Sequence, residues 1–216
     1  VKLRNLYLIR HGQSIYNLEN RFTGWKDVEL TPLGKSQAKE AGRILLDINF
    51  DYCYISNLKR AKHTLKFILN EINQFPPIEN NLALNERDYG DLIGQNKAEA
   101  AEKFGAEQVQ TWRRSFDIPP PGGESLKMTA ERTLPYYKSI ILPKVINSDN
   151  VIISAHGNSI RAIVMDIFNL TPKQILKTEI GWCEPWKISY DKNGKLSNYK
   201  IISRPSEPSN SHLCIK

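Results

Sequence analysis

Cysteine is scarce in this chain, with three in 216 residues, Cys53, Cys183 and Cys214, an odd number at wide and unpatterned spacing. That argues against a disulfide framework and a cysteine-built zinc site, and all three read as reduced thiols. Long apolar runs are also missing. No stretch approaches the roughly 18 residues needed by a bilayer-spanning helix, so no membrane-spanning helix is expected. The stretch Val1-Lys2-Leu3-Arg4-Asn5 carries neither a signal-peptide core nor an amphipathic presequence, which sets a cytoplasmic expectation. No repeat of solenoid period is visible. Charge of one sign is gathered only weakly, at Lys59, Arg60 and Lys62: 30 Lys and Arg are interspersed with 23 Asp and Glu along most of the chain. The net charge of +7 and pI of about 9.2 suggest an anionic partner, but without a basic stripe nucleic acid is the weaker choice. Charge alone does not choose between a membrane surface and a phosphorylated metabolite.

With 40% apolar and 25% charged residues, the chain has the composition of a globular protein. Apolar runs that end in turn residues alternate with segments of helical periodicity, which predicts an α/β domain over residues 1–203. Residues 204–216, rich in Ser and Pro, read as a disordered tail. Strands are expected at 6–10, 51–56 and 151–155, and a hairpin at 186–190 and 196–202 turns on Asn193-Gly194. Thr31-Pro32 starts a helix running to about residue 47, and Ser56-Asn57 caps the next. Residues 74–80 read as a Pro-containing link and 119–125 as a loop. Shorter helices are predicted over 95–104, 107–114, 158–168 and 172–177. A long helix over 125–145 is predicted to bend or restart at Pro135.

Two places in this pattern carry chemistry. Leu6-Tyr7-Leu8-Ile9-Arg10-His11-Gly12 is an apolar strand ending in a cation, an imidazole and a glycine turn, and Val151-Ile152-Ile153-Ser154-Ala155-His156-Gly157 repeats the arrangement. In open α/β sheets that strand edge is where ligands bind. Taken alone, each histidine reads equally well as a capped core residue. Together with Arg10, Arg60, Lys97, Arg113, Arg114 and one acid, Glu86, they form a candidate site for phosphoryl transfer. Arginine forks neutralise phosphoryl oxygens, an imidazole can attack phosphorus, and a carboxyl group can shuttle the proton. Metal binding is the competing reading of two histidines, but no third ligand follows at a known spacing. His63, His212, Trp25 and Trp112 read more simply as surface or packing residues.

These residues stand in blocks that resemble a known family. Leu8-Ile9-Arg10-His11-Gly12-Gln13-Ser14 is similar to the signature of the histidine phosphatase superfamily. Arg21-Phe22-Thr23-Gly24-Trp25, Leu58-Lys59-Arg60-Ala61, Asn85-Glu86-Arg87-Asp88-Tyr89-Gly90, Trp112-Arg113-Arg114 and Ala155-His156-Gly157-Asn158 extend the likeness to its cofactor-dependent phosphoglycerate mutases. The resemblance implies a three-layer α/β sandwich with a mostly parallel central sheet flanked by helices. It implies that 3-phosphoglycerate and 2-phosphoglycerate are interconverted through a phosphohistidine primed by 2,3-bisphosphoglycerate, without metal. His11 would be the nucleophile and Glu86 the proton carrier, with Arg10, Arg60 and His156 holding the phosphoryl group. Ser14, Asn17, Thr23, Gly24, Tyr89, Lys97, Arg113, Arg114 and Asn158 would bind the rest of the substrate. The implied partner is a phosphorylated small molecule, bound by a monomer or homo-oligomer, with neither nucleic acid nor membrane involved. One departure falls at Gly181-Trp182-Cys183-Glu184-Pro185, where the family usually carries a Thr-Gly pair before the proline. Phosphatase or bisphosphoglycerate synthase activity, and a polyanion-binding scaffold, are the alternative readings.

Overall fold

The computed structural model describes residues 3–216, so Val1 and Lys2 lie outside it. Strand β1 (Arg4–Arg10) is followed by a single helical turn, α1 (Ile15–Leu18), and by helix α2 (Pro32–Ile44). Strand β2 (Tyr52–Ile55), helix α3 (Lys59–Ile72) and strand β3 (Ile78–Asn80) come next, then helices α4 (Lys97–Phe104), α5 (Ala106–Arg114) and α6 (Leu126–Tyr136). A wide turn at Tyr137–Ile141 leads into α7 (Leu142–Ile146), strand β4 (Asn150–Ala155), and helices α8 (Gly157–Ile167) and α9 (Pro172–Leu176). The hairpin of β5 (Trp186–Tyr190) and β6 (Leu196–Ile201) completes the sheet. Among the described residues no helix is long and apolar enough to cross a membrane.

The strand order is β3-β2-β4-β1-β5-β6, parallel from β3 to β1 and antiparallel across β5 and β6. Successive residues of β1 face opposite ways, and both faces are covered. Leu6 and Leu8 enter a core with Val151, Ile153, Tyr137, Ile160 and Trp186, whereas Tyr7 and Ile9 enter another with Ala38, Leu65, Ile68 and Ile152. This two-sided burial explains the unbroken apolar run and yields the three-layer α/β sandwich. β1 leaves towards β2 on one side, and β4 leaves towards β5 on the other. Their carboxyl ends therefore border the crevice where the connections diverge.

Local chemistry sets the element ends. The Thr31 hydroxyl accepts from the Gly34 amide at the start of α2, with Pro32 in the first turn. α3 is not capped by Ser56-Asn57: its N-cap is Leu58, which makes no side-chain cap bond. The Asp27 carboxylate accepts from the Lys59 amide at 2.7 Å, which pins the polar loop before α2 to the start of α3. The predicted long helix does not break at Pro135, which lies within α6; it loosens after Tyr136 into the wide turn at Tyr137–Ile141 and stays helical into α7. The link at 74–80 contains β3, a short edge strand that starts immediately after Pro77.

The expected disorder at residues 204–216 is not found. Arg204 is buried between Glu40 at 3.0 Å and Glu207 at 2.7 Å, and Leu213 reaches the core. Glu184, almost fully enclosed, accepts from the Ser209 hydroxyl, the Asn210 amide and, in a short contact, the Ser211 hydroxyl. Composition signals disorder because this segment buries little apolar surface. Here the segment is ordered by one buried carboxylate that takes three donors, a contact that composition does not record. Replacing Glu184 with Ala leaves those donors unpaired. It is expected to cost about 1–3 kcal/mol in urea unfolding and to make the chain after residue 203 sensitive to protease.

Candidate active site

The β1–β4 register pairs Arg10 with Ala155, so His11 and His156 occupy the next step on adjacent parallel strands. The His11 amide donates to the Ala155 carbonyl at 3.1 Å, and the two imidazole rings lie 5.1 Å apart. Gly12 turns the chain away against the first turn of α2. A Cβ on Gly12 would sit 2.3 Å from the Gly34 carbonyl oxygen, and one on Gly34 would sit 2.1 Å from that of Gln13. Backbone meets backbone there, so neither position accepts a side chain without moving the histidine.

The His11 Nδ1 lies 2.6 Å from the Gly12 carbonyl oxygen, an acceptor only, so Nδ1 carries the proton and Nε2 holds the lone pair. Burial, and then Arg60 and Arg10, push the His11 pKa well below the usual histidine value. The imidazole is thus neutral and nucleophilic at neutral pH. His156 is held neutral in the same way, first by burial and then by Arg60. Its Nε2 is 2.7 Å from the Ser56 hydroxyl, and its buried Nδ1 makes no full hydrogen bond, with the Ser159 amide in the first turn of α8 facing the ring.

Two guanidinium groups flank the imidazoles. Arg60, on α3, donates to the Gly24 carbonyl at 2.8 Å and the Lys26 carbonyl at 2.9 Å, and burial lowers its pKa to about 10. Arg10 donates to the Ile180 carbonyl at 2.9 Å beneath the Trp182 ring, 5.5 Å away. Both remain cationic, and both have a buried Nε without a partner. Glu86 accepts through one carboxylate oxygen from the Arg87 and Asn158 amides, at 2.8 and 3.1 Å. That contact places its carboxylate at the amino end of α8, where the helix dipole favours negative charge.

Above these groups opens a cavity of about 150 Å³. Of the residues expected at the site, Arg10, Asn17, Thr23, Gly24, Glu86, Tyr89, Lys97, Arg113, Arg114 and Asn158 line it. His11, Arg60 and His156 are buried and do not line it. Ser14 is also buried; its hydroxyl accepts from the Asn17 amide, so it caps α1. The sequence reading missed Arg21, Arg161 and Glu179, which also line the cavity, and Ser56 below it. Arg161 lies on α8 shortly after His156, the one signal that could have found it. Glu179 reaches Arg161 at 2.8 Å and Arg114 at 3.0 Å. Trp25 and Trp112 serve packing: the Trp25 ring nitrogen donates to the Glu86 carbonyl, and Trp112 packs on Phe104.

At the departure from the family pattern, the Cys183 amide donates to the Arg10 carbonyl at 2.9 Å, so the turn is tied to the end of β1. Cys183 has φ +52°, the left-handed conformation in which glycine is unstrained. The turn thus has a backbone shape suited to glycine despite its bulky side chains. Six cations line the cavity against two carboxylates, and buried donors stand without acceptors. This is an anion site whose donors suit the oxygens of a phosphoryl group. Among the described residues, no three His, Cys, Asp or Glu side chains converge as a metal site would require.

The family model described as the histidine phosphatase superfamily (branch 1) matches residues 6–200. The chain belongs to that superfamily, within its 2,3-bisphosphoglycerate-dependent phosphoglycerate mutases. A protein of that name from Bradyrhizobium sp. (strain ORS 278) is 57% identical over 181 residues, covering 82% of this chain and 87% of the relative. One from Cytophaga hutchinsonii is 47% identical over 94% of this chain and 95% of its own. In fold the chain is similar to the alpha-ribazole phosphatase from Shigella flexneri, with a TM-score of 0.81 at 22% identity, covering 95% and 100% of the two chains.

Burial, with Arg113, Arg10 and Arg114 nearby, lowers the Lys97 pKa to about 8. A cation whose pKa lies there is lost as pH rises through it. Sulfate has constant charge over the relevant range, and its affinity by calorimetry is expected to fall about three- to tenfold from about pH 7 to about pH 9. Lys97→Met should bind sulfate weakly at both pH values and remove that dependence.

Proposed function

We propose that this site interconverts 3-phosphoglycerate and 2-phosphoglycerate, with His11 carrying the phosphoryl group between them. The observation that carries the reading is the neutral His11 with its Nε2 lone pair free, beside the buried Nε atoms of Arg10 and Arg60 and the buried Nδ1 of His156, none of which has a hydrogen-bond partner. The His11 Nε2 attacks phosphorus and forms a P–N bond as the P–O bond to the substrate hydroxyl breaks. Glu86, at the cavity wall, gives a proton to the departing oxygen and takes one from the hydroxyl that later attacks phosphohistidine. Arg10 and Arg60 meet the oxygens that spread charge in the transition state. Asn17, Thr23, Gly24, Tyr89, Lys97, Arg113, Arg114 and Asn158 hold the glycerate carboxylate and the second phosphate, and the cation excess of the cavity suits so anionic a ligand. Ser14 supports the site by fixing Asn17.

The relatives' name includes 2,3-bisphosphoglycerate, and when bound that compound supplies the phosphoryl group that first loads His11. The unpartnered Nε atoms of Arg10 and Arg60 and the Nδ1 of His156 fit its phosphoryl oxygens. The same chemistry with water as acceptor would make the site a phosphatase.

In an enolase-coupled assay, turnover of 3-phosphoglycerate is expected to rise on adding 2,3-bisphosphoglycerate and to exceed phosphate release measured alongside. His11→Ala should abolish turnover and the acid-labile phosphoenzyme together. Glu86→Gln should lower kcat by about 10²- to 10⁴-fold while the protein stays folded. Phosphate release matching or exceeding isomerisation would refute the mutase in favour of the phosphatase.

A further inference from the structure

Ser56 closes β2 and is fully buried against His156. Its Oγ accepts from the Leu58 amide at 3.2 Å, which fixes the hydroxyl at the first turn of α3. Its own proton then needs an acceptor. Among the described residues, the hydrogen bonds made by Ser56 offer one, the His156 Nε2 at 2.7 Å. A buried hydroxyl that donates to Nε2 requires a lone pair there, and a neutral imidazole with a lone pair on Nε2 carries its proton on Nδ1.

We propose that Ser56 is a positioning residue for the reaction: by donating to the His156 Nε2 it holds the imidazole in its Nδ1–H form. This proposal rests on the reading above, in which the His156 Nδ1 meets the transferring phosphoryl group. Nδ1 is the buried His156 atom without a partner. With the proton there, His156 offers the phosphoryl oxygen a donor. With the proton on Nε2, it would offer a lone pair that repels the same oxygen. No proton needs to arrive from solvent, and burial beside Arg60 disfavours a second one on the ring. The two histidines are thereby set in the same tautomer by different partners. The Gly12 carbonyl takes the Nδ1 proton of His11, whereas Ser56 fills the Nε2 of His156 and leaves its Nδ1 proton free.

The test is the two-bond ¹H–¹⁵N spectrum of the imidazoles in the free enzyme, with His156 assigned by comparison with His156→Asn. The wild type should show His156 with a pyridine-like Nε2 and a protonated Nδ1. Ser56→Ala should convert that signature to the Nε2–H form or a mixture, and Ser56→Thr, which keeps the hydroxyl, should restore it. In turnover of 3-phosphoglycerate, Ser56→Ala should lower kcat about ten- to a hundredfold with KM within about twofold, and Ser56→Thr should recover most of the loss. A wild-type His156 protonated on Nε2 would overturn the proposal whether or not any variant folds. So would an Ser56→Ala spectrum identical to the wild type. Absence of mutase turnover in the wild type would instead overturn the reading of the reaction, and the spectrum would still decide the tautomer.

Discussion

Burying positive charge is costly unless something answers it, and the rest of this site is arranged around that cost. Arg60 lies out of water beside the cavity and Arg10 half-buried in its wall, and both histidines stay neutral beside them. Part of the answer is internal: the carbonyls of Ile180, Gly24 and Lys26 and the carboxylate of Glu86 face the guanidinium groups. The rest is left open as buried donors without acceptors. A ligand rich in oxygen completes what the protein leaves unsatisfied, so anion binding and relief of this cost are one event.

The same constraint explains why the site draws on so many segments. One cation comes from the end of β1 and another from the first turn of α3. The carboxylate comes from the stretch after β3, and the imidazoles from two strands that are neighbours in the sheet but far apart in sequence. The loop between α1 and α2 holds Arg60 through the Gly24 and Lys26 carbonyls and caps α3 through Asp27. The terminal segment fixes Glu184 and so steadies the turn that carries Trp182 over Arg10.

Much of this was legible in the sequence. β1 and β4 were visible as apolar runs because both sheet faces are covered, and His11 and His156 followed because each run stops at a glycine turn. The blocks around Arg60, Glu86 and Arg113 brought together most of the cavity wall. What escaped has a physical reason in each case. Ser56, Arg161 and Glu179 act through contacts with residues far away in the chain, which no local pattern encodes. β3 is a short edge strand with two exposed residues, too brief for any period to show. The order of residues 204–216 depends on a buried carboxylate twenty or more positions upstream, whereas composition reports only how little apolar surface the segment offers.

The pairing of β1 with β4 also bears on when the protein becomes competent. The two imidazoles are separated by more than half the chain and are aligned only by a ladder that matches Arg10 with Ala155. No fragment that ends before β4 can contain both imidazoles. A slip of one residue along the ladder would turn the histidine-bearing strand end to the opposite face of the sheet. Assembly of the site therefore coincides with completion of the central sheet, and a partly unfolded chain presents His11 without the second imidazole.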